Sequence, residues 1–230
     1  MRLGLFGGTF NPIHQGHLRS AEEILESLTL DRLWFIPAAQ PPHKDSGAVT
    51  PFATRLTMTR LAVAEHPTFE VSDIEGQRPG RSYSIETIRQ VRQSFGAGAE
   101  IFFILGLDAI LEINTWKDYR QLFTLCHFVV LDRPGSERRQ LASVLQQEVH
   151  PQFRYQKEQD AFLHPSGYQV FFRYTTLLDI SSTQIRRLAG QGKSIRYLLP
   201  EAVRRYILLN KLYQKGDTEN SEGKKINRCQ

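Results

Sequence analysis

Two histidines near the N-terminus have a spacing and a setting that favour phosphate chemistry. His14 and His17 close the segment Gly7-Gly8-Thr9-Phe10-Asn11-Pro12-Ile13-His14-Gln15-Gly16-His17. If a helix begins there, residues three apart project from one face. Two imidazoles can then donate hydrogen bonds to a phosphorus centre whose oxygens gain charge in the transition state. Gly7 and Gly8 let a phosphate or ribose approach the backbone, and Gly16 leaves room for a base or a phosphate.

Other uses of histidine fit this segment less well. No carboxylate or cysteine completes a metal site or a protease site there, and no Gly-Lys-Ser/Thr follows as it would in a Walker loop. An isolated pair of histidines is more often structural. The histidines therefore need support from a second segment.

That second segment lies near the C-terminus and combines hydroxyl groups with arginines. It reads Asp179-Ile180-Ser181-Ser182-Thr183-Gln184-Ile185-Arg186-Arg187. A hydroxyl at a helix start satisfies one free amide, and the remaining amides can hold an anion. Arg186 in the first turn opposes the helix dipole, a conflict that a bound triphosphate would remove. An ordinary capped surface helix is the alternative interpretation of this segment alone.

The elements that must position these two segments alternate along the chain. Short apolar runs predict strands at residues 3–6, 33–36, 69–72, 101–105, 128–131 and 170–172. Helical spacing and breakers predict helices over residues 17–30, 51–65, from Ser82 or Ser84 to 95, 136–148, 181–188 and 200–209. The alternation predicts an α/β fold with a doubly wound, mainly parallel sheet and a small helical C-terminal portion. Ligands bind beyond the carboxyl ends of the strands in such a sheet, which is where the first segment lies.

The length of 230 residues fits a single domain, which we place at residues 1–213. Its closing helical portion begins at about residue 181. Residues 136–168 are polar and are expected to form a surface excursion from the sheet. Residues 214–230 carry mixed charges and are expected to be a disordered tail.

Composition narrows the environment and the partners. Cys126 and Cys229 are the only cysteines, too few for a disulfide framework or a zinc site. No stretch approaches the roughly 20 apolar residues that span a bilayer, and the segment 1–8 reads as a strand and turn rather than the apolar core of a signal peptide, so none is expected. A cytoplasmic protein without a membrane partner is expected. The net charge of +5 suits anionic partners, either nucleic acid or small phosphorylated molecules.

The first segment is similar to the His-x-Gly-His signature of the nucleotidyltransferase superfamily, and in its full form to bacterial nicotinate mononucleotide adenylyltransferases. The second segment resembles the Ile-Ser-Ser-Thr-x-Ile-Arg motif of the same family, and the resemblance runs along nearly the whole chain. It implies a Rossmann-like nucleotidyltransferase fold. Asn11 stands where family members commonly carry aspartate. This departure from the motif does not affect either histidine.

Further segments resemble the acceptor side of that family. Lys44, in Pro41-Pro42-His43-Lys44, matches a lysine that meets the acceptor phosphate. The segment 82–87 is similar to one whose backbone lines the nicotinate pocket, with Ser84 in place of threonine. Gly106-Leu107-Asp108 resembles a motif whose aspartate binds a ribose hydroxyl, and Trp116 matches a tryptophan that stacks on the pyridine ring. Arg133 is a weaker candidate at another strand end.

The resemblance thus implies three sets of site residues. Catalytic roles fall to His14, His17, Lys44 and Arg186. ATP binding falls to Gly7, Gly8, Thr9, Phe10, His14, His17, Gly106, Ile180, Ser181, Ser182, Thr183 and Arg186. Binding of nicotinate mononucleotide falls to Thr9, Lys44, Tyr83, Ser84, Leu107, Asp108, Trp116 and Arg133. Mg²⁺ is expected with ATP, held mainly by the substrate phosphates rather than by a metal site of the protein.

Several alternatives stay open. The same chemistry could serve nicotinamide mononucleotide, phosphopantetheine or another phosphorylated acceptor. A nucleic-acid-binding module is the alternative from another class, because His-x-Gly-His also resembles the signature of class I aminoacyl-tRNA synthetases. The chain shows no anticodon-binding domain and no long basic stripe with interleaved aromatic residues, so no nucleic-acid partner is expected. A catalytically inactive regulator and a homo-oligomer are also possible.

Overall fold

The computed structural model describes residues 1–41, 49–96, 98–132 and 138–214, with the backbone alone at 132 and 138. Eight strands form one sheet. In chain order they are β1 (Arg2–Gly8), β2 (Arg32–Pro37), β3 (Phe69–Val71), β4 (Glu100–Gly106), β5 (His127–Asp132), β6 (Arg154–Gln156), β7 (Ala161–Leu163) and β8 (Gln169–Tyr174).

The order of the strands places the N-terminal loop at the centre of the sheet. Neighbouring strands follow the order β3-β2-β1-β4-β5-β8-β7-β6. The first six are parallel, whereas β7 pairs antiparallel with both β8 and β6. The chain reverses its direction of travel across the sheet between β1 and β4, and a crevice opens at such a reversal. The segment that follows β1 therefore lies at the mouth of the crevice, and the predicted doubly wound, mainly parallel α/β fold is confirmed.

Helices cover both faces of the sheet. They are α1 (Gln15–Ser27), α2 (Phe52–Val63), α3 (Ser84–Phe95), α4 (Leu107–Leu111), α5 (Tyr119–Leu122), α6 (Arg138–Val144), α7 (Ser182–Gly190) and α8 (Glu201–Leu209). No helix of the described residues is both long and apolar enough to cross a membrane.

Side chains of the central strands alternate between two apolar layers, as the two-residue period of a strand requires. Ile101 and Phe103 of β4 belong to the layer that α3 to α6 complete, whereas Phe102 and Ile104 belong to the layer completed by α1, α2, α7 and α8. All four are almost fully buried. This burial on both faces explains why β4 is the most continuous apolar run in the chain.

The structure differs from the sequence-based expectation within residues 138–168. We expected a surface excursion there, but β6 and β7 form an antiparallel hairpin that extends the sheet beyond β8. Phe153 is 2% exposed and Ala161 is fully buried. Both strands have three residues, too short to show the alternation by which a sequence predicts a strand. The expected helix is α6, which continues as a single π-helical turn, Leu145–Val149.

A second difference concerns the start of α3. We expected Ser82 or Ser84 to cap this helix, but Tyr83 occupies the cap position without a side-chain hydrogen bond. The Ser82 hydroxyl instead accepts a hydrogen bond from the Gln40 backbone N–H at 3.0 Å. Ser82 thus joins the loop after β2 to the start of α3.

Candidate active site

The two predicted histidines are stacked at the start of α1, directly after the loop that leaves β1. The centroids of the two rings lie 3.7 Å apart. His14 is the residue that precedes the helix, and its backbone N–H donates to Nδ1 of His17 at 3.2 Å. A ring nitrogen that accepts carries no proton, so the neutral His17 ring keeps its proton on Nε2. This arrangement leaves Nε2–H of His17 available as a donor.

Burial and charge keep the His17 imidazole neutral in the free protein. Burial among Phe6, Phe10 and the strand ends is the larger cause, and the neighbouring His14 ring is the second; together they lower the pKa of His17 well below its usual 6.5. A bound polyphosphate would act in the opposite direction, because anionic oxygens favour the protonated ring. Anion binding beside this ring and protonation of His17 would therefore favour each other.

Two glycines of the first segment have a structural reason that the sequence analysis did not foresee. A Cβ on Gly8 would lie 2.8 Å from the Phe10 ring, so this glycine accommodates an aromatic side chain. A Cβ on Gly16 would lie 3.2 Å from the His14 ring, which occupies the space that we assigned to a base or a phosphate. A Cβ on Gly7 would meet Phe103 at an ordinary distance of 3.4 Å. Of these three, Gly7 and Gly8 line the cavity described below.

The loop after β1 is held from beneath by a buried arginine that sequence reasoning missed. Arg55, on α2, is only 1% exposed. Its guanidinium donates to the carbonyl oxygens of Thr9 at 2.8 Å, Thr50 at 2.8 Å and Ala39 at 3.3 Å. Phe10, with a φ of 45°, buries its side chain in the core. The local sequence did not mark Arg55, because a charged side chain in a helix on its own predicts solvent exposure.

The second segment contacts the first one directly. The Arg186 guanidinium donates to the backbone carbonyl of Asn11 at 2.8 Å, and the Ser182 hydroxyl donates to the carbonyl of Pro12 at 2.8 Å. Ser181 caps α7 by accepting from the Gln184 N–H at 3.1 Å, as its position predicts. The 179–187 segment therefore meets the N-terminal segment, and the guanidinium of Arg186 contacts the loop that leads to the imidazoles.

The side chain of Asn11 explains why aspartate is not needed at this position for the contact that the structure shows. Asn11 is 4% exposed, and its Oδ1 accepts a hydrogen bond from the Tyr213 hydroxyl at 3.1 Å. An amide oxygen can accept this bond as a carboxylate oxygen would. Burial raises the pKa of Tyr213 to about 12, so the hydroxyl keeps the proton that it donates.

A cavity of about 610 Å³ opens beside the loop, between the ends of β1, β2 and β4 and the start of α3. Seven predicted site residues line it: Gly7, Gly8, Thr9, Tyr83, Ser84, Gly106 and Trp116. The indole of Trp116 packs edge-on against Phe103, with ring centroids 6.2 Å apart, and remains partly exposed toward the cavity. The volume lies in the range of small-molecule sites.

The other predicted site residues lie elsewhere. His14, His17 and the residues of the 180–186 segment do not line the cavity. Leu107 is a core residue of α4, 8% exposed, and Asp108 is exposed on the same helix; neither lines the cavity. Lys44 and Arg133 fall outside the described residues. The structure thus gathers seven of the predicted residues around one cavity, whereas the imidazoles and Arg186 meet at the loop after β1 without lining it.

Three charged residues of the cavity wall were not predicted: Glu75, Arg81 and Lys117. Lys117 follows Trp116, and its Nζ lies 2.6 Å from Glu86 Oε1 and 4.6 Å from the centre of the Tyr83 ring. Its position next to a predicted stacking residue could have marked it. Glu75 and Arg81 lie in the connection between β3 and α3, which shows no hydrophobic period, so the sequence offered no basis for locating them.

Comparison with known proteins identifies the family of the chain. The model of the cytidylyltransferase-like family matches residues 5–188. Proteins named "probable nicotinate-nucleotide adenylyltransferase" from Geobacter metallireducens and Geobacter sulfurreducens are 48% and 49% identical over 213 residues, which is 93% of this chain and 98% of each relative.

Solved structures show the same fold at low sequence identity. Nicotinic acid mononucleotide adenylyltransferase of Plasmodium falciparum in complex with NaAD superposes with a TM-score of 0.71 at 16% identity, covering 92% of this chain and 97% of that one. The same enzyme in complex with APC gives a TM-score of 0.69, covering 92% and 96%. Because the family model spans most of the chain and the relatives match nearly all of it, the chain belongs to the cytidylyltransferase-like family and, within it, to the nicotinate-nucleotide adenylyltransferases.

Proposed function

We propose that this protein transfers the adenylyl group of ATP to nicotinate mononucleotide, giving nicotinate adenine dinucleotide and pyrophosphate, a step of NAD biosynthesis. The observation that supports it best is the contact between the chain ends. Arg186 on α7 bonds to the carbonyl of Asn11, three residues before the stacked His14 and His17. Imidazole and guanidinium donors thus meet at the edge of a cavity that can hold the acceptor.

The chemistry is a direct in-line displacement. An oxygen of the acceptor 5′-phosphate forms a bond to the α-phosphorus of ATP, and the bond from that phosphorus to the oxygen bridging to the β-phosphorus breaks. The electron pair leaves with pyrophosphate. No protein nucleophile is needed, so the enzyme contributes positioning and charge stabilisation.

The proposed roles follow from the two ends of the site. His14 and His17 flank the α- and β-phosphates, and Arg186 with the α7 cap residues 180–183 binds the triphosphate. Lys44, outside the described residues, meets the acceptor phosphate. On the cavity side Trp116 stacks on the pyridine ring and the backbone at Ser84 faces its carboxylate. Thr9 borders both substrates.

Several assignments rest on the resemblance alone. The backbone of Phe10 borders ATP, since its side chain is buried in the core. Leu107, Asp108 and Arg133 belong to the acceptor side, with Asp108 on a ribose hydroxyl. For Asp108 a change in the exposed α4 turn on ligand binding would be required, because it does not line the cavity of the free protein.

Magnesium would enter with ATP. The donors that face the proposed phosphate site are imidazole, amide and guanidinium groups, which do not suit a hard cation, and the described residues contain no group of three or more His, Cys, Asp or Glu side chains that could hold a metal. The ion would therefore lie on the triphosphate oxygens, where it neutralises charge. A cytoplasmic location remains a prediction.

A pyrophosphate-release assay tests the proposal. ATP and Mg²⁺ are supplied with nicotinate mononucleotide, nicotinamide mononucleotide or phosphopantetheine, and kcat/KM is compared. We expect the highest value for nicotinate mononucleotide. A higher value for another acceptor would overturn the substrate assignment, and absence of pyrophosphate release with all three would overturn the activity. A gel-shift experiment with tRNA at physiological salt covers the nucleic-acid alternative, for which no binding is expected.

A further inference from the structure

The cavity wall contains a buried carboxylate that the proposed chemistry leaves without a role. Glu75 lies in the connection between β3 and α3, lines the cavity and is only 9% exposed. One of its oxygens, Oε1, accepts a hydrogen bond from the Thr87 hydroxyl at 2.8 Å. The other, Oε2, is fully shielded and has no hydrogen-bond partner among the described residues. A buried acceptor without a donor is uncommon in folded proteins because it has lost its water without compensation.

A short chain of hydrogen bonds fixes the orientation of this carboxylate. The Arg78 guanidinium donates to the Thr87 hydroxyl at 2.7 Å, and that hydroxyl in turn donates to Oε1 of Glu75. Thr87 is 1% exposed on the first turns of α3. Because Oε1 is held in this way, Oε2 cannot turn to share the same donor. Glu75 therefore lines the cavity with its carboxylate held in one orientation. Because Oε2 has no accessible surface in the free protein, a donor reaches it from the cavity only with a small shift of the adjoining wall.

Glu75 lines the same cavity as residues from both ends of the proposed acceptor site, Thr9 at one end and Trp116 at the other. On one side Thr87 belongs to the helix whose start, at Tyr83 and Ser84, borders the cavity near Trp116. On the other side Arg55 donates a hydrogen bond to the Thr9 carbonyl of the loop after β1. Burial lowers the pKa of Arg55, and the charges of Tyr213 and then Glu75 partly oppose this, so Glu75 lies within electrostatic range of that guanidinium. In a mononucleotide the ribose joins the ring to the phosphate, and the middle of the site is where the ribose belongs.

We infer that Oε2 of Glu75 accepts a hydrogen bond from a ribose hydroxyl of the acceptor mononucleotide, which makes Glu75 a substrate-binding residue. Nicotinate mononucleotide offers no other donor, because its carboxylate and phosphate groups are acceptors when ionised. A site built to bond a hydroxyl discriminates strongly against an analogue that lacks it, since the buried partner is then left unpaired. This inference rests on the proposed function, because it takes the acceptor to be a mononucleotide.

The test is a coupling cycle between the protein and the substrate. The wild-type enzyme is assayed with nicotinate mononucleotide and with its 2′-deoxy and 3′-deoxy analogues. We expect one analogue to lose roughly 10- to 100-fold in kcat/KM, the range for a hydrogen bond to a charged group. With nicotinate mononucleotide, the kcat/KM of Glu75→Met should be lower than that of the wild type by a similar factor. For Glu75→Met itself, the analogue without that hydroxyl should lower kcat/KM by only about 2-fold or less, a difference no larger than the error of additivity. Glu75→Gln keeps an acceptor but not the charge, so its kcat/KM for nicotinate mononucleotide should lie between those of the wild type and Glu75→Met.

Controls separate a binding role from a structural one. Glu70→Gln changes an exposed carboxylate on β3 that pairs with Arg32, and it should leave kcat/KM for all three acceptors unchanged. The KM for ATP should also stay the same in the Glu75 variants. Because Oε2 has no partner in the free protein, Glu75→Gln should melt at or above the wild-type temperature, whereas a purely structural carboxylate would lower it.

The outcomes are distinct. Equal penalties for the missing hydroxyl in the wild type and in the Glu75 variants would overturn the inference, and so would full activity of the wild type with both deoxy analogues, a result that needs no variant to fold. Coupling to the carboxamide of nicotinamide mononucleotide instead of a hydroxyl would place Glu75 at the ring and also overturn it. If the enzyme released no pyrophosphate with any acceptor, the proposed function itself would fail.

Discussion

At the scale of single residues, the imidazole of His17 combines a structural role with an available hydrogen-bond donor. Its Nδ1 accepts from the His14 backbone and so helps to start α1, while its Nε2–H remains a donor for a phosphate oxygen. Stacking at 3.7 Å from His14 would be unfavourable if both rings were charged in the free protein. The lowered pKa of His17, caused by burial and then by His14, avoids that repulsion. In the proposed mechanism, the substrate phosphates bring negative charge to this pair.

The residue-scale prediction concerns this donor. His17→Ala should lower kcat by roughly 10²–10³, the loss found when one transition-state donor is removed. The KM for ATP should change less, since the donor acts on charge that develops during the reaction. The measurement is steady-state pyrophosphate release by a variant whose Tm shows that it is folded. His150→Ala, near the edge strand β6 and five strands from β1, is the matched control and should keep its activity. A folded His17→Ala enzyme with near-normal kcat would contradict the role.

At the scale of elements, hydrophobic pattern predicted much of the fold, because the parallel strands are buried on both faces. The runs at 3–6, 33–36 and 101–105 lie inside β1, β2 and β4, and the loop after β1 was correctly placed at the sheet crevice. What failed were features without a period: the three-residue strands β6 and β7, the short helices α4 and α5, and the cap of α3. Tertiary contacts decide such short elements, so the local sequence carries little signal for them.

The same limit applies to the site. Motifs marked the imidazoles, Arg186 and Trp116, because their types and spacing are unusual. The residues that support them, Arg55 and Glu75, became visible only once the chain was folded, since each contacts segments that are remote in sequence. A charged side chain in a sequence window predicts exposure, and only the packed structure shows that both are buried.

The element-scale prediction concerns Arg55, which ties the loop after β1 to the connection between β2 and α2. Arg55→Met would leave the carbonyls of Thr9, Ala39 and Thr50 without their donor, and should lower the free energy of unfolding by on the order of 3 kcal/mol. Arg55→Lys keeps the charge, but one ammonium group cannot span three carbonyls, so an intermediate loss is expected. Urea unfolding of the two variants and of the exposed control Arg32→Met measures this. Wild-type stability of Arg55→Met would show that the buried guanidinium does not hold the loop.

At the scale of the whole molecule, the fold brings residues 182–213 to the loop that follows β1. Arg186 and Ser182 bond to consecutive carbonyls, of Asn11 and Pro12, and Tyr213 bonds to the side chain of Asn11. Separations of 170, 175 and 202 residues mean that these contacts exist only in the completed fold. The loop after β1 and global stability are therefore coupled, and a change in the charge of the loop should be visible in the melting of the whole protein.

The pH dependence of that melting is the prediction at this scale. Burial is the main cause that lowers the pKa values of His17, His127 and His164 below 6.5 in the folded protein. The unfolded chain then binds protons that the folded chain refuses, so the stability is fully present above pH 6.5 and is lost as the pH falls toward the folded pKa values. Between pH 7.5 and 5 the Tm of the free enzyme should fall by about 2–4 °C for each kcal/mol of this loss. Hydrogen bonds from Arg204 hold the pKa of Glu201 at about 2, well below this window, so Glu201 does not contribute to the expected fall.

Tripolyphosphate, added as a probe of the phosphate site, should flatten the dependence of Tm on pH by favouring the protonated His17. A Tm that stays constant over this range would show that these imidazoles do not titrate with unfolding. The same slope with and without tripolyphosphate would show that His17 does not face the anion.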